Sequence, residues 1–329
     1  MILVTGGSGF IGSSVVDLLL KQTLEKIVIL DKRMNKWTYE LFAKHHDRID
    51  DRIVPILMDI TNESDRNRWI IYPDLLKENI STIIHLAGHI SVSESVTDPI
   101  KYYDDNVNGM LYVIELARKY NSNIIFSSSA GVYAPSNSPV NEFSFKEPIH
   151  PYGQTKLWCE QILEAADRAY GIKSCVFRYF NAAGMGDNHG YYERANHAIP
   201  ALMNAIKRND TFYINGNDYH TNHDKTCVRD YLHIKDIARA HIDALTYLEN
   251  KTSITVNLGS GMGTSMLELV DKAESILQKR IKHEFRERRA GDPPHLVADI
   301  TLANKLLGWY PKFGLNDIIS DAWKWEETK

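Results

Sequence analysis

Short apolar runs recur through the first half of the chain: ILVT (2–5), KIVILD (26–31), IVPILMD (53–59), TIIHLAG (82–88), NIIFSSS (123–129) and KSCVFRY (173–179). Their hydrophobicity is continuous rather than alternating, as in strands buried on both faces, and the helix-period segments between them exceed the dozen or so residues a crossover helix needs. The expected fold is therefore α/β, a Rossmann-like doubly wound parallel sheet. From Asn181 the rhythm changes to a helical HAIPALMNAI, a short FYI strand, a polar loop over 216–228 and a helix near 235–249. We expect a sheet domain over 1–180, with later segments near 230–258 returning to it, and a smaller α/β lobe over 181–329. Residues 135–151 form the longest stretch that reads as loop, and such a loop beside a strand end is expected to wall a site.

Composition narrows the function. With 43% hydrophobic and 24% charged residues in 329, the chain has an ordinary globular make-up, and no stretch approaches the roughly 18 apolar residues of a membrane span. A net charge of −4 and short basic clusters mixed with Glu, such as Arg286, Arg288 and Arg289, offer no field for nucleic acid. The start, Met-Ile-Leu-Val-Thr-Gly-Gly, lacks the basic and apolar regions of a secretory signal, and Cys159, Cys175 and Cys227 are widely spaced and odd in number. A cytoplasmic protein without disulfides is expected.

The first strand runs into TGGSGFIG, with Gly6, Gly9 and Gly12 before an apolar helix, and Asp31 ends the second strand. Glycines let the backbone turn tightly and approach a pyrophosphate, while amides at the helix start meet its charge. The acidic residue would accept the adenosine ribose hydroxyls and repel a 2′-phosphate, so NAD is expected over NADP. A second glycine cluster, NLGSGMGTS (257–265), reads instead as a turn before a helix capped by Ser265 and Glu268.

Tyr152 and Lys156 are four residues apart, so on a helix the phenol and ammonium share a face. A nearby ammonium favours the phenolate and lowers a tyrosine pKa from its usual value of about 10. The fifth run ends in Ser127-Ser128-Ser129, at the sheet edge where open α/β folds bind ligands.

Together with HLAG, the SESV…P…YY..NVNG block (93–109), FSSSAGVY, PYGQTK, RYFNAAG, VRDYLHIKDIA, NLGSG and RRAGDPPHLVAD, these segments follow one another nearly end to end. In that order they resemble the extended short-chain dehydrogenase/reductases and, within them, the UDP-glucose 4-epimerases. The resemblance implies that Tyr152 is the catalytic base, that Ser129 polarises the same sugar oxygen and that Lys156 tunes the tyrosine and holds the nicotinamide ribose. It places NAD against Gly6, Gly9, Phe10, Ile11, Gly12, Asp31, Asn35, Asp59, Ile60, Leu86, Ala87, Gly88 and Phe180, besides Tyr152 and Lys156. It places the UDP-sugar against Ser129 and Asn181, with Arg229 and Arg289 clamping the pyrophosphate, Asp292 on the uridine ribose and Leu296 at the sugar gate. It further implies a homodimer paired through the helices at about 99–119 and 152–169, and no metal.

The chain departs from the family pattern at Asp105, at His89-Ile90 and at His197. Leucine at position 296 is intermediate between the bulky gate of plain-hexose enzymes and the small one of N-acetylhexosamine enzymes. The expected reaction is C4 epimerisation of UDP-glucose and UDP-galactose through a 4-keto sugar, with UDP-N-acetylhexosamine, UDP-pentose or UDP-uronate as alternatives. The nearest rival is a 4,6-dehydratase or decarboxylase of the same scaffold; a dehydratase resembling the known ones would carry an Asp-Glu pair where this chain has Ala130-Gly131. A non-catalytic NAD-binding protein would have no use for Ser129, Tyr152 and Lys156 together.

Overall fold

The computed structural model describes residues 1–35, 38, 52–67, 78–186, 197–220, 223–250, 252–289 and 291–328. The apolar runs form strands β1 (Ile2–Thr5), β2 (Ile27–Asp31), β3 (Ile53–Leu57), β4 (Thr82–His85), β5 (Asn123–Ser129) and β6 (Ser174–Tyr179). With β10 (Ile254–Leu258) they make a seven-stranded parallel sheet of order β10-β6-β5-β4-β1-β2-β3. The order reverses direction beside β1, where β2 lies on one side and β4 on the other. In open sheets that switch point is where ligands bind.

Both faces of this sheet are buried, which explains the unbroken hydrophobic runs. Ile2, Val4, Ile27 and Ile29 face α1 (Phe10–Gln22) and a later helix, through Val15, Leu19, Ile237 and Leu248. Leu3, Val28, Leu30 and Ile83 face the opposite layer, through Met110, Val113 and Leu163. Between the strands lie α2 (Glu63–Asn67), α3 (Val92–Thr97), α4 (Pro99–Tyr102), α5 (Gly109–Tyr120) and α6 (Pro151–Tyr170). The sequence reads 99–119 as one helix; in the structure its middle turn, Tyr103–Asn108, widens to π geometry. Wide turns of this kind often mark functional positions, and this one carries Asp105 and Asn106.

Beyond β6 come β7 (Asn181–Ala183), α7 (Ala198–Arg208), β8 (Phe212–Asn215), β9 (Val228–His233) and α8 (Ile234–Asn250). After β10 follow β11 (Gly263–Ser265), α9 (Met266–Leu277), β12 (His283–Arg286), β13 (His295–Leu296), α10 (Thr301–Leu307) and α11 (Leu315–Glu327). β9 pairs with β7, β11 and β13, and β8 pairs with β12. Leu202, Ile214, Leu269 and Ile318 form a separate core under these smaller sheets. α8 packs on the large sheet beside α1, as do Ala303 of α10 and the buried Trp309, so the chain returns to the first core twice. The capping box expected at Ser265 and Glu268 is present at the start of α9.

Candidate active site

A cavity of about 1000 Å³ opens over the carboxyl ends of the large sheet and continues between it and the β9 sheet. That is the top of the usual range for ligand sites, about 300–1,000 Å³. Its floor is the glycine turn. Gly6 has φ +71°, and a Cβ there would lie 2.7 Å from the Ala87 amide; a Cβ on Gly12 would lie 2.1 Å from the Gly6 carbonyl. Glycine is therefore required for the turn to lie against the loop after β4. α1 begins with Gly9 as its cap, which brings no side-chain acceptor, and no carboxylate occupies the first turn. The amides of that turn suit an anion.

Gly6, Gly9, Phe10, Ile11, Gly12, Asp31, Asn35, Asp59, Ile60, Leu86, Ala87, Gly88, Tyr152 and Phe180 all line this cavity. The Asp31 carboxylate accepts the amides of Ser8 and Arg33, each at 3.1 Å, and burial raises its pKa against those bonds. Burial also acts to raise Asp59, but bonds from the Thr61 amide (3.0 Å) and hydroxyl (2.7 Å) and the charge of Lys32 outweigh it and lower the pKa. Lys32 Nζ lies 3.7 Å from Asp59 and 4.0 Å from Asp105. The Asp105 carboxylate also takes a short bond from His89 Nε2. The carboxylate at 105 thus has Lys32 near it and is held by the residue at 89, so the two departures from the family pattern form one unit.

α6 starts where it does because Pro151 fixes the first helical position and ends at Gly171, whose φ of 72° is an ordinary glycine cap. Tyr152 and Lys156 fall on its inner face. Lys156 Nζ donates to the Ser127 carbonyl at 2.7 Å and lies 5.9 Å from the Tyr152 ring centre and 3.8 Å from the point a Gly88 side chain would occupy. Burial pulls the Lys156 ammonium down to about 8, against the pull of Cys159 and Glu160 in the other direction. The lysine sits under the wall rather than in it, since it is not among the lining residues. Ser129 ends β5, lines the cavity and accepts the Gly131 amide at 3.1 Å.

Tyr133 also lines the cavity, but its hydroxyl is engaged, donating to Asn257 Oδ1 at 2.6 Å and accepting from Arg178 at 2.9 Å. Burial pushes this phenol up to about 12. Of the two tyrosines, Tyr152 has the lysine beneath it.

Toward the smaller sheets, Asn181, Arg229, Asp292 and Leu296 line the cavity, and β13 pairs in register with β9 so that Leu296 lies beside Arg229. Arg229 Nη2 donates to Asp292 at 2.8 Å and Nη1 to the Val228 carbonyl at 2.8 Å. Arg289 is exposed and stands off the cavity wall, so of the two arginines expected to form a clamp the structure brings Arg229 alone to the lining. Ile90 and His197 line the cavity too.

Sequence reasoning missed two features. His150 lines the cavity, caps α6 through Nδ1 and stacks on Tyr152. Its position before Pro-Tyr marked a helix start, but an imidazole is not among the usual caps. Asp230, fully buried, accepts the Ser260 amide and hydroxyl, both at 2.6 Å, the Gly261 amide at 3.0 Å and the Ala298 amide at 3.1 Å. It ties the loop after β10 and the segment after Leu296 to β9 next to Arg229; nothing in its surroundings in the sequence announced four backbone and hydroxyl donors.

Residues 2–259 match the NAD dependent epimerase/dehydratase family. A UDP-glucose 4-epimerase of Lactobacillus helveticus is 37% identical, over 99% of this chain and 97% of the relative. Among solved structures, a UDP-glucose-4-epimerase from Stenotrophomonas maltophila with bound NAD and formylated UDP-arabinopyranose is 32% identical with a TM-score of 0.89, covering 99% of this chain and 98% of that one. A UDP-glucose 4-epimerase from Bifidobacterium longum in complex with NAD+ and UDP is 30% identical with a TM-score of 0.87, covering 100% of this chain and 98% of that one.

Proposed function

The chain belongs to the NAD dependent epimerase/dehydratase family, and we propose from that premise that it interconverts UDP-hexoses epimeric at C4, with UDP-glucose and UDP-galactose as its substrates. The observation that carries this reading is the meeting, in one cavity, of a glycine cradle suited to a dinucleotide with Tyr152, Ser129 and the underlying Lys156. The cradle fits NAD: Gly6 and Gly12, where a Cβ would strike backbone, keep the turn tight at the start of α1, and Asp31 supplies a carboxylate at the end of β2. Bound there, NAD supplies the hydride acceptor and donor that a 4-keto sugar intermediate requires.

The chain's own residues handle the proton and the grip. Tyr152, as phenolate, takes the proton of the sugar 4-hydroxyl and returns it to the other epimer, while Ser129 holds the same oxygen. The Lys156 ammonium below the ring favours the phenolate. Arg229, steadied by Asp292, meets the diphosphate at the far end of the cavity, and Asn181, also on the lining, contacts the phosphate region. A firm hold on UDP and a loose one on the sugar allow the ketose to turn within the pocket before the proton is returned.

Elimination chemistry lacks its groups. Ala130 and Gly131 follow Ser129, and the carboxylates on the lining are engaged: Asp31 with amides, Asp59 and Asp105 with Lys32, Asp292 with Arg229. The division of labour follows the two halves of the cavity, residues 1–180 with 230–258 for NAD and the remainder of 181–329 for the UDP-sugar. Two copies pair through α4, α5 and α6, and the three free buried cysteines suit a reducing cytoplasm. Among the described residues no helix is long and apolar enough to cross a membrane.

Purified protein is expected to interconvert UDP-galactose and UDP-glucose without added NAD. Tyr152→Phe should lower kcat by about 10²–10⁴ while UDP still binds. Release of water from the sugar would indicate a dehydratase instead, and binding without turnover on UDP-glucose, UDP-GlcNAc and UDP-xylose would defeat the enzymatic reading.

A further inference from the structure

His150 has no part in the proton chemistry above, yet it stands between the residues that carry it out. The Gly153 amide donates to its Nδ1 at 2.9 Å, so Nδ1 is the bare nitrogen and the ring proton sits on Nε2. One ring face lies on Tyr152, with centroids 5.8 Å apart and planes 9° from parallel. The edge abuts Gly131, where an added Cβ would lie 3.0 Å from His150 Cε1, 3.3 Å from Nε2 and 3.4 Å from Ser129 Oγ. A Cβ on Gly153 would come within 2.2 Å of the Gly131 carbonyl, so the start of α6 and the turn after β5 are locked together around the imidazole.

Two hydrogen-bonding groups thus lie within 3.4 Å of one point beside the Gly131 backbone and are near neighbours on the site. Ser129 Oγ is one. His150 Nε2 is the other, with no hydrogen-bond partner in the chain among the described residues and with its ring on the cavity lining. Burial holds the imidazole below its ordinary pKa, against opposing pulls from a backbone bond and the Asp292 carboxylate, so the ring is neutral at neutral pH. Tyr152 and Asp292 are the titratable groups that face it. A proton on Nδ1 would also break the cap, so the arrangement is built for the neutral tautomer.

We infer that His150 is a substrate-binding residue whose Nε2–H donates to a sugar hydroxyl next to the 4-oxygen held by Ser129 and Tyr152. This rests on the epimerase reading and adds a grip on the sugar ring itself. The candidates are the 3-hydroxyl, vicinal to the reacting centre, and the 6-hydroxyl of the exocyclic carbon attached to C5.

The test is His150→Asn, because asparagine is a good helix cap and preserves the start of α6 while withdrawing the Nε2 donor. On UDP-glucose kcat/KM should fall about tenfold, the effect of one lost hydrogen bond, with NAD content and affinity for UDP unchanged. On the 3-deoxy or the 6-deoxy analogue, whichever lacks the contacted hydroxyl, the variant and the parent should turn over equally. Binding of UDP-glucose relative to UDP, by calorimetry, reads the same contact without turnover. Equal parent and variant values on UDP-glucose, or a loss that persists on both analogues, overturns the inference and leaves His150 as a cap. A parent protein that turns over no UDP-hexose defeats the epimerase reading separately, and the calorimetric comparison still decides the role of His150.

Discussion

Lys156 is buried with no ion pair among the described residues, and burial brings its pKa from the ordinary 10.5 to about 8 against the weaker pull of Cys159 and Glu160. For a lysine lowered in this way the sign is clear: the cost of burying the charge is fully present below pH 8 and is relieved as pH rises from 8 toward 10.5. Stability of the ligand-free protein should therefore rise across that window on account of this group, while the ammonium that favours the Tyr152 phenolate is lost. Turnover is expected to decline above about pH 8, and Lys156→Met should be slower by about 10² or more and lack that alkaline decline. A variant that keeps the parental alkaline limb would show that another group titrates there. Tyr152 and Lys156 were legible in the sequence because helical spacing alone puts them on one face. Arg289 was not, since which of several arginines reaches a cavity depends on the path of an irregular segment, and here it is exposed and off the lining while Arg229, fixed by strand register, lines the cavity.

The elements around the site are joined by a buried polar network. Arg178 of β6 donates to Glu160 of α6 through Nη2 at 2.6 Å and Nε at 3.0 Å, and through Nη1 to Tyr133 and the Glu142 carbonyl. Asn257 of β10 accepts from Tyr133 and donates to the carbonyls of Val140 and Asp299, and Val140 exchanges backbone bonds with Val297 and Asp299. The long loop read as a site wall is thus fixed at Val140 and Glu142, to the sheet and to the segment carrying Leu296. Breaking one side of a buried ion pair leaves an uncompensated charge, so Glu160→Met should destabilise the protein by about 3–5 kcal/mol in urea unfolding, and adding Arg178→Met should recover part of that. A single substitution costing less than about 1 kcal/mol would mean that the pair is solvated. The strands, α6 and the capping box of α9 were legible because their signals are local. The π turn at 103–108 was not, because contacts remote in sequence accompany it: the amide of its own Asn106 donates to Thr155 of α6 and to the His89 carbonyl.

At the scale of the molecule, the doubly wound sheet was legible from its unbroken apolar runs, while the return of α8, α10 and Trp309 to the first core needed long-range packing to be seen. The same packing decides which apolar residues of α4, α5 and α6 stay outside. Ile114 turns inward, but Ile100, Leu111 and Trp158 remain 70%, 45% and 38% exposed, and Tyr103 packs its ring against Trp158. These residues form one apolar stripe on the outer flank of a helix pair whose inner flank carries Tyr152 and Asn106. A self-complementary stripe on two adjacent helices suits two-fold pairing with a second copy. The protein should sediment as a dimer at micromolar concentration, and Leu111→Glu with Trp158→Glu should give a monomer with unchanged far-UV circular dichroism. A parent protein that sediments as a monomer would overturn the pairing, and a charged variant that still pairs would move the interface elsewhere.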